Sequence, residues 1–415
     1  MGASPLRICH LGKYYPPAVG GIETHVRTLA HAQAALNAEV RVICINHLDR
    51  NGRDVIWKRF AATETVEELD GSVRVTRVGR RASVARLDVC PRLPHVLREL
   101  IHSETDVLHL HVPNPTILLI LAALPLRIPL VVTYHSDVIK QKMLEMAHRP
   151  FEYLVFGKAA VLLSDSPTYP GGSNILQRYR DKLAVLPLGI QVGSFLRPTL
   201  AAQRYSQQLK MECGQPFWLA VGRLVYYKGL HNAIQALASV PGKLMIVGHG
   251  PLERELKQLA DQVGVAGRII WRGKLSETEL IGAYHAATAL WFSSNERSEG
   301  FGQVQVEAMA SGCPVINTAI PHSSVAWVSK HEETGLTVPM NDPAALAAAS
   351  HRLLDERGLR DRLASTAREQ AAARFDHRMM AERSLAIYRH VLCGTKPQLD
   401  LVSHRIPTTS EFSTL

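Results

Sequence analysis

The chain of 415 residues is too long for one compact core, and its length predicts two domains. Hydrophobic residues make up 46% and charged residues 20% of the sequence, which excludes a disordered chain and is typical of a globular protein. The 47 Lys and Arg residues outnumber the 37 Asp and Glu residues, and the resulting formal charge of +10 favours anionic partners.

The cysteine and hydropathy patterns exclude further classes. The six cysteines are scattered without a Cys-x-x-Cys pair, so they predict neither a disulfide framework nor a zinc knuckle. The longest apolar block, residues 117–126, is far shorter than the roughly 20 residues that a membrane-spanning helix requires. No secretory signal is recognised at the start of the chain, so we expect a cytoplasmic protein, soluble or at the inner face of the membrane.

The first half of the chain alternates short apolar runs with helical patterns. Helices are predicted at residues 22–36 and 93–102, between runs that favour β-strands. Such alternation is typical of parallel βαβ units and predicts a first α/β domain over residues 1–195. Its nearly continuous apolar strands, which indicate a sheet covered on both faces, are expected at residues 6–11, 40–45, 73–78, 107–111, 130–134, 160–164 and 183–186.

The same alternation begins again after a polar stretch. Residues 196–211 are predicted to be a linker and residues 212–375 a second α/β domain. A last helix is expected at 376–394, and a loose tail at 395–415. The second domain is predicted to contain strands at 217–221, 243–247, 268–271, 289–292, 314–317 and 335–338, and helices at 230–238, 252–263, 277–286 and 303–311.

A pair of glycines, Gly20 and Gly21, lies between the first predicted strand and the first predicted helix. Such a turn lets backbone N–H groups approach a phosphate at the helix N-terminus, although a purely structural turn would have the same sequence. The dinucleotide fingerprint Gly-x-Gly-x-x-Gly is absent from this turn, which argues against a nicotinamide site.

Two cations, Arg223 and Lys228, follow the first strand of the second domain. This is where open α/β sheets bind ligands. The planar Arg223 can bind two phosphate oxygens, whereas Lys228 acts as a mobile point charge. Gly248, Gly250 and Pro251 end the next strand, again with glycines at its carboxyl end. The alternative is a pair of solvated surface cations.

The most informative stretch places two carboxylates, Glu299 and Glu307, on either side of Phe301 and Gly302. A loop that leads into a helix can hold one carboxylate at the reacting end of a ligand and the other further along it. Glycine permits close backbone approach, and a helix N-terminus favours negative charge. The stretch therefore predicts a ligand with a sugar, a diphosphate and a nucleoside, with an ordinary surface loop as the alternative.

The sequence does not decide the roles of the histidines in the first domain. His135 ends a predicted strand, where a histidine is more often structural or solvated than catalytic. His109 and His111 are alternate residues of another strand and could suggest a metal pair. Because no carboxylate or cysteine lies nearby at ligand spacing, no metal site is predicted.

Seven arginines concentrate positive charge in one section of the first domain. A solvated face is one interpretation, and docking on an anionic membrane, at about 1 kcal/mol per cation, is the other. Nucleic acid is not an expected partner, because aromatic residues are not interleaved with these cations. The seven are Arg74, Arg77, Arg80, Arg81, Arg86, Arg92 and Arg98.

In their order and spacing these motifs resemble the retaining glycosyltransferases of family 4, which have the two-domain GT-B fold. The resemblance extends over nearly the whole chain, from Gly20-Gly21-Ile22-Glu23 through Leu188-Gly189-Ile190 to Glu299 and Glu307. It implies two Rossmann-like domains whose parallel sheets face each other across a cleft. The chain departs from the family at Gln191, where an acidic residue is common, and at 322–325, where a glycine pair is frequent.

The resemblance also implies residue roles. Arg223 and Lys228 match the diphosphate clamp, and Glu307 matches the carboxylate that holds the ribose. Glu299, with the backbone of Phe301 and Gly302, matches the group that contacts the transferred sugar. The remaining matches are the loop facing the donor phosphates at Gly20 and Gly21, the nucleotide-pocket wall at Gly248, Gly250 and Pro251, a histidine near the sugar hydroxyls at His135, and a helix returning to the first domain at 376–394.

The implied activity is transfer of a hexose, of the mannose type by analogy with surface-polysaccharide enzymes, from a nucleoside-diphosphate sugar to a glycan or lipid-linked acceptor. Glu299, His135, Arg223 and Lys228 are the predicted catalytic residues. No cofactor and no metal are expected, because the two cations and a helix N-terminus can stabilise the departing diphosphate. The alternatives are a nucleotide-linked epimerase or oxidoreductase, and a non-catalytic partner subunit that binds nucleotide sugar or glycan.

Overall fold

The structure, a computed structural model, describes residues 4–18, 20–49, 62–84, 87–102, 105–136 and 142–395. The chain divides into two compact units. The first unit comprises Met1–Pro187 and Arg378–Leu415, and the second unit comprises Leu188–His377. Each unit is built on its own sheet, which is parallel throughout in the second unit and parallel except for one antiparallel edge strand in the first, as predicted for two Rossmann-like domains.

The first unit contains ten described strands, which are β1 (Arg7–Leu11), β2 (Glu39–Ile45), β3 (Val66–Asp70), β4 (Val73–Val78), β5 (Ala82–Val84), β6 (Leu87–Val89), β7 (Val107–Val112), β8 (Leu130–Tyr134), β9 (Val161–Ser164) and β10 (Leu183–Val185). Eight of them form a sheet in the order β10-β9-β8-β7-β1-β2-β4-β3, and β5 pairs with β6 separately. The seven predicted strands are confirmed. Strand β3 was missed because its sequence, VEELD, is largely exposed at the sheet edge and has no apolar run.

Strand order locates the switch point of the first sheet. Strands β1, β2 and β4 follow one another in one direction, and β7 then pairs on the other side of β1. Loops that leave the carboxyl ends of β1 and β7 therefore diverge, and such a crevice is where open α/β sheets bind ligands. Every residue of β7 is buried, as expected for a central strand covered on both faces.

Helices beside this sheet begin at recognisable sequence signals. The helices are α1 (Gly21–Ala35), α2 (Leu93–His102), α3 (Pro115–Ala123), α4 (Lys142–Lys158) and α5 (Asn174–Arg178). The Asn114 side chain accepts a hydrogen bond from the backbone N–H of Ile117 and caps α3, which has proline in its first turn. The apolar block at 117–126 falls mostly in this nine-residue helix. Within the described ranges, every helix is too short or too polar to cross a membrane.

The second unit contains six parallel strands, which are β11 (Phe217–Val221), β12 (Lys243–Val247), β13 (Ile269–Arg272), β14 (Ala289–Phe292), β15 (Val315–Thr318) and β16 (Gly335–Val338). Their order, β13-β12-β11-β14-β15-β16, places the switch point between β11 and β14. All six predicted strands are confirmed. The loops leaving β11 and β14 therefore frame the expected ligand crevice of this unit.

The helices of the second unit are α6 (Val192–Leu196), α7 (Leu200–Cys213), α8 (Leu230–Leu237), α9 (Glu253–Val263), α10 (Glu277–Ala286), α11 (Gln303–Ala310), α12 (Val325–Val328), α13 (Pro343–Asp355) and α14 (Leu359–Arg374). The prediction of a linker at residues 196–211 is wrong, because most of this stretch forms helix α7. The Thr199 side chain caps it, and Leu209 and Cys213 are buried on the face that packs on α10. Its polar residues form the exposed face, which explains why the stretch resembled a linker.

The boundary between the units also differs from the prediction. The first unit ends at Pro187 rather than at residue 195, because Leu188, Ile190 and Phe195 are buried in the core of the second unit. The last helix, α15 (His377–Leu392), belongs from Arg378 onward to the first unit, where Leu385 and Tyr388 are buried. Beyond Thr395, the predicted tail lies outside the described residues.

Candidate active site

The loops that follow β11 and β12 are hydrogen-bonded to each other. The backbone N–H of Gly222 donates to Val247 O (2.9 Å), and that of Leu224 donates to His249 O (3.0 Å). Glycine is required at this approach, since a Cβ on Gly248, whose φ is 137°, would lie 2.0 Å from Gly222 O. A Cβ on Gly250 would similarly meet Leu224 O at 2.3 Å. The predicted wall residues are thus brought beside the loop that carries Arg223.

Lys228 and Glu299 form an ion pair at the switch point of the second unit. The distance from Lys228 Nζ to Glu299 Oε2 is 2.5 Å, and the exposed fractions of the two side chains are 14% and 10%. The ammonium also lies 5.3 Å from the ring centroid of Phe292 on β14. Two predicted residues that are 71 positions apart in sequence are therefore in direct contact.

The backbone holds Lys228 in place. A short 3-10 turn at Tyr226–Lys228 leads to Gly229, which is left-handed (φ 59°) at the start of α8. A Cβ at Gly229 would lie 2.0 Å from Ser293 O, so only glycine lets the two loops approach this closely. The hydroxyl of Ser293 in turn donates to Lys228 O at 3.1 Å. The loops after β11 and β14 are thereby fixed against each other.

Glu299 is held by serines that sequence reasoning did not single out. The Ser294 hydroxyl donates to Glu299 Oε2 at 3.2 Å, and the Ser323 hydroxyl donates to Glu299 O at 2.8 Å. The backbone N–H of Ser324 donates to Gly300 O at 3.0 Å. The segment 322–325, noted as a departure from the family pattern, thus holds the Glu299 loop in place through hydrogen bonds to its backbone carbonyls.

Phe301 and Gly302 position the start of α11. Phe301 is buried, with its ring edge-on to Phe375 at a centroid distance of 5.6 Å. Gly302 is left-handed (φ 74°) at the helix N-cap. A Cβ there would lie 2.5 Å from Cζ of Phe292, the residue whose ring faces Lys228. The partial positive end of α11 therefore begins beside the ion pair.

Glu307 lies further along α11 and is only partly exposed. The Tyr284 hydroxyl of α10 donates to its Oε2 at 2.8 Å. Burial raises the pKa of Glu307, and the hydrogen bond from Tyr284 opposes that shift. Burial and the nearby carboxylate also raise the pKa of Tyr284 well above its usual value. Tyr284 fixes the orientation of this carboxylate and was also missed from the sequence.

Arg223 differs from Lys228 in its surroundings. Its side chain is exposed, whereas its backbone carbonyl accepts from the N–H of Val225 at 2.9 Å. Within the described part of the chain, the Arg223 side chain makes neither an ion pair nor a hydrogen bond, in contrast to the paired Lys228. Pro251 is also exposed, in the turn before α9.

The other predicted residues belong to the first unit. Gly20 and Gly21 start α1, and a Cβ on Gly20 would lie 2.1 Å from Glu23 Oε2. His135 follows β8 and is buried. Sequence reasoning treated it alone, but the structure places it among four further buried histidines: His10, His25, His109 and His111.

These histidines are uncharged at neutral pH. Burial lowers the pKa of His10 to about 4 and that of His135 to about 3. Burial, followed by repulsion between neighbouring rings, lowers the pKa of His25, His109 and His111 as well. His109 and His111 do lie on one face of β7, as their spacing implied, and β1 brings His10 against them. Metal binding was not predicted and stays untested.

The arginine-rich section is only partly a surface. Arg77 is buried and pairs with Glu68 at 2.8 Å, and Arg80 is buried and pairs with Asp88 at 3.0 Å. Arg86 lies outside the described residues. The exposed members are Arg74, Arg81, Arg92 and Arg98.

A cavity of about 530 Å³ in the second unit is lined by Tyr284, Arg360 and Arg368 among others. None of the predicted site residues lines it. Because the ion pair, the glycine contacts and the strand order all converge on the loops after β11 and β14, we place the candidate site there.

Comparison with known families identifies both halves of the chain. Residues 19–192 match the family described as Glycosyltransferase Family 4. Residues 202–370 match the family described as Glycosyl transferases group 1. Together these two matches leave out only the ends of the chain and the short segment between them.

Curated relatives and solved structures agree with these matches. The chain is 33% identical over 247 residues to D-rhamnosyltransferase WbpZ of Pseudomonas aeruginosa, covering 60% of this chain and 64% of the relative. It is 26% identical to O-antigen chain mannosyltransferase C of Escherichia coli, covering 93% and 99%. The structure of Anabaena Alr3699/HepE in complex with UDP-glucose superposes with a TM-score of 0.72 at 18% identity, covering 92% and 99%. The predicted GT-B fold is confirmed.

Proposed function

The chain belongs to the glycosyltransferases of family 4, and we propose that it transfers a hexose from a nucleoside-diphosphate sugar with retention of anomeric configuration. The acceptor in this proposal is a glycan or a lipid-linked glycan of cell-surface polysaccharide or glycolipid synthesis. Support for the sugar and acceptor class comes from the rhamnosyl- and mannosyltransferases that the chain resembles.

One observation carries the proposal: the contact of Lys228 with Glu299 at the switch point of the second unit, beside the unpaired Arg223. Lys228, whose side chain is only 14% exposed and already paired, is held in one place for contact with the diphosphate. The exposed Arg223 retains all its donors for phosphate oxygens. Glu307 lies further along α11, where the charge of Lys228 still acts on its carboxylate.

The chemistry follows from the charge that develops during transfer. As the bond between the sugar and the diphosphate breaks, negative charge accumulates on the leaving oxygens. Lys228, Arg223 and the N-terminus of α11 would stabilise it without reorganising. Glu299 keeps Lys228 oriented, and the departing phosphate takes the proton of the acceptor hydroxyl, which attacks from the same face. No metal is required in this scheme.

The donor is identified by binding and then by turnover. In a thermal-shift screen of UDP-, GDP-, ADP- and TDP-sugars, the true donor raises the melting temperature by mass action. The isolated protein then converts that donor and an acceptor into a product whose anomeric configuration, measured by NMR, equals that of the donor. Inversion at the anomeric carbon would refute the retaining mechanism.

The same preparation tests the metal-free scheme and the alternatives. Activity is expected to survive EDTA, and loss of activity that one divalent ion restores would contradict the scheme. A non-catalytic partner subunit would bind the donor without transferring or hydrolysing it. An oxidoreductase would instead bind a nicotinamide cofactor, which a fluorescence titration detects.

We further propose a cytoplasmic location with peripheral docking on the membrane through the four exposed arginines Arg74, Arg81, Arg92 and Arg98. Each cation near an anionic surface contributes about 1 kcal/mol. The protein should therefore co-sediment with anionic liposomes and not with neutral ones, and replacing the four arginines with glutamine should abolish the difference. Equal binding to both liposome types would end this proposal.

A further inference from the structure

The five buried histidines of the first unit are connected by hydrogen bonds whose directions can be assigned. All lie at the switch point of the first sheet: His10 on β1, His109 and His111 on β7, His135 after β8 and His25 on α1. Gln33 on α1 and Tyr388 on α15, both fully buried, complete the group.

Assignment starts at Ser384 on α15. Its hydroxyl donates to Ala381 O at 2.7 Å, so its oxygen is left to accept. The Gln33 side-chain nitrogen lies 2.8 Å from that oxygen and 3.2 Å from the Tyr388 hydroxyl, and it donates to both. The reverse amide orientation would set two acceptors against each other at Ser384. The Oε1 atom of Gln33 must therefore face His10.

The orientation of Gln33 fixes the hydrogen-bond directions through His10, His111 and His135. His10 Nε2 lies 2.8 Å from Gln33 Oε1, which only accepts, so His10 carries its proton on Nε2 and its Nδ1 accepts. His111 Nε2 lies 3.0 Å from His10 Nδ1 and must donate to it, because each ring is neutral and has one proton. This leaves His111 Nδ1 as an acceptor.

The last link ends at His135. Its Nε2 lies 3.1 Å from His111 Nδ1 and therefore carries the proton. Nδ1 of His135 is left without a proton, and among the described residues the His135 ring makes its hydrogen bond through Nε2 alone. The neutrality that this assignment requires follows from burial, which lowers the pKa of His10 and of His135.

A second series of hydrogen bonds, from Gln33 through Tyr388 and His109, is consistent with the same Gln33 orientation. The Tyr388 hydroxyl accepts from Gln33 and lies 2.6 Å from His109 Nδ1, to which it donates. His109 Nε2 then donates to Thr133 Oγ1, also at 2.6 Å. All the assigned donors and acceptors alternate, so one amide, Gln33, sets the direction of both branches.

We propose that Gln33 is a positioning residue of the transferase, which acts through His10 and His111 to hold His135 as its Nε2–H tautomer. The Nδ1 atom of His135 is then always an acceptor, available to a hydroxyl donor. That the transferase depends on this acceptor rests on the proposed function, whereas the tautomer itself does not. Because α15 supplies Ser384 and Tyr388, the C-terminal helix helps to set the protonation of a residue that precedes it by about 250 positions.

A metal site is the competing explanation for such a cluster. Two groups of three histidines, His10 with His109 and His111, and His25 with His111 and His135, have ligand nitrogens within 4.8 Å of one another. Neither nitrogen of His25 has a hydrogen-bond partner in the described part of the chain. However, a divalent cation would be buried here without any carboxylate or thiolate in either group, which is costly.

The tautomer is measured directly by long-range ¹H–¹⁵N NMR of the full-length protein labelled at histidine. At about pH 7, the wild-type His135 should show a protonated Nε2 and an unprotonated Nδ1. In Gln33→Met, which removes the anchor at nearly the same volume, His135 should become a mixture of tautomers. His25→Phe keeps the ring that packs against His111 and His135 and should leave the His135 tautomer unchanged.

Activity provides the second measurement. Gln33→Met should lower kcat roughly 10- to 100-fold, the usual effect of removing a residue that orients a functional histidine, while KM changes little. Gln33→Glu retains the acceptor toward His10 and should restore part of the loss. A wild-type His135 protonated on Nδ1, or an unchanged tautomer in Gln33→Met, would overturn the proposal.

Two outcomes distinguish this proposal from the proposed function and from a metal site. If the tautomer behaves as expected but no sugar is transferred by the wild type, the proposed function fails and the hydrogen-bonded assignment stands. If Zn²⁺ shifts the signals of His25, His111 and His135 in the wild type but not in His25→Phe, the cluster is a metal site and the assignment is overturned.

Discussion

The two units differ in the kind of polar side chain that lies at the switch points of their sheets. The second unit uses opposite charges, Lys228 and Glu299, and glycines bring the surrounding backbone close enough to hold them. The first unit uses uncharged imidazoles joined by hydrogen bonds to one amide, Gln33. In the proposed function the charged pair contacts a phosphate, and the neutral cluster offers an acceptor to a hydroxyl. The same strand topology is thus combined with two different kinds of polar group.

The sharpest test of this comparison uses an ion pair that is buried in the first unit. Arg80 and Asp88 are fully buried and 3.0 Å apart. Arg80→Met removes the nearer of the two cations that pair with Asp88 and leaves Lys13 Nζ at 3.7 Å, so the stability of the first unit should fall by up to about 3–5 kcal/mol. Arg7→Met is the control, because its partner Asp106 is partly exposed, and it should cost about 1 kcal/mol or less.

Hydrogen–deuterium exchange with mass spectrometry measures this difference segment by segment. Protection should fall in β1, β2 and β7 of Arg80→Met and remain unchanged in the strands of the second unit. Equal effects of the two substitutions would show that burial of the pair does not matter, and loss of protection in both units would show that they unfold together.

The charge pair of the second unit is tested by turnover. If Lys228 stabilises the leaving diphosphate as proposed, Lys228→Ala should lower kcat about 10²–10³-fold. Lys257→Ala is the matched control, since Lys257 is another paired lysine of this unit but its side chain is 47% exposed beside Glu253. Steady-state kinetics with the identified donor measure both, and near-normal turnover of Lys228→Ala would refute its role.

Sequence alone predicted most of the architecture, because strands with apolar runs and helices with periodic patterns are local features. It also predicted that Arg223, Lys228, Glu299 and Glu307 belong to one site, and the Lys228–Glu299 contact agrees with that prediction. Helix α7 was mistaken for a linker because only one of its faces is apolar. Strand β3 was missed because its pairing, rather than its composition, makes it a strand.

The supporting residues could not be predicted from local patterns. Ser323 contacts the Glu299 loop from 24 positions away, and Tyr284 contacts Glu307 from 23 positions away. Gln33 reaches Tyr388 across 355 positions. Only the strand order brings such residues together. Position in the fold was the available signal, since Ser294 is the second residue after β14, at the carboxyl end where sheet ligands bind.

Close backbone approach in the second unit is tested by two glycines with similar backbone angles. Gly302 and Gly264 have φ values of 74° and 77°, but a Cβ on Gly302 would meet Phe292 at 2.5 Å whereas one on Gly264 would meet nothing. Both alanine substitutions should cost about 1–2 kcal/mol of left-handed strain. Gly302→Ala should cost about 1–3 kcal/mol more through steric overlap.

Urea unfolding followed by tryptophan fluorescence measures this difference. Four of the five tryptophans lie in the second unit, so a Trp57→Phe background makes the signal specific to that unit. An equal loss of stability in the two variants would mean that Phe292 moves away, and the glycine would then be required only for its φ.

The neutral cluster of the first unit is tested by pH. Each of the five clustered histidines has a folded pKa below its unfolded value of about 6.5, so the unfolded state binds a proton first as the pH falls. Stability is complete above about pH 6.5 and is lost down to about pH 4 for His10, by up to about 1.4 kcal/mol per pH unit and per histidine. Glu307, whose pKa is raised, has the opposite sign and protects the second unit in acid.

Hydrogen–deuterium exchange at about pH 7 and about pH 5.5 should therefore show protection falling in the first unit before the second. His25→Phe removes one of the titrating rings while keeping its packing, so the slope of stability against pH in the first unit should decrease by about 1.4 kcal/mol per pH unit. An unchanged slope would mean that His25 is protonated in the folded protein, and the cluster would then carry charge as the second unit does.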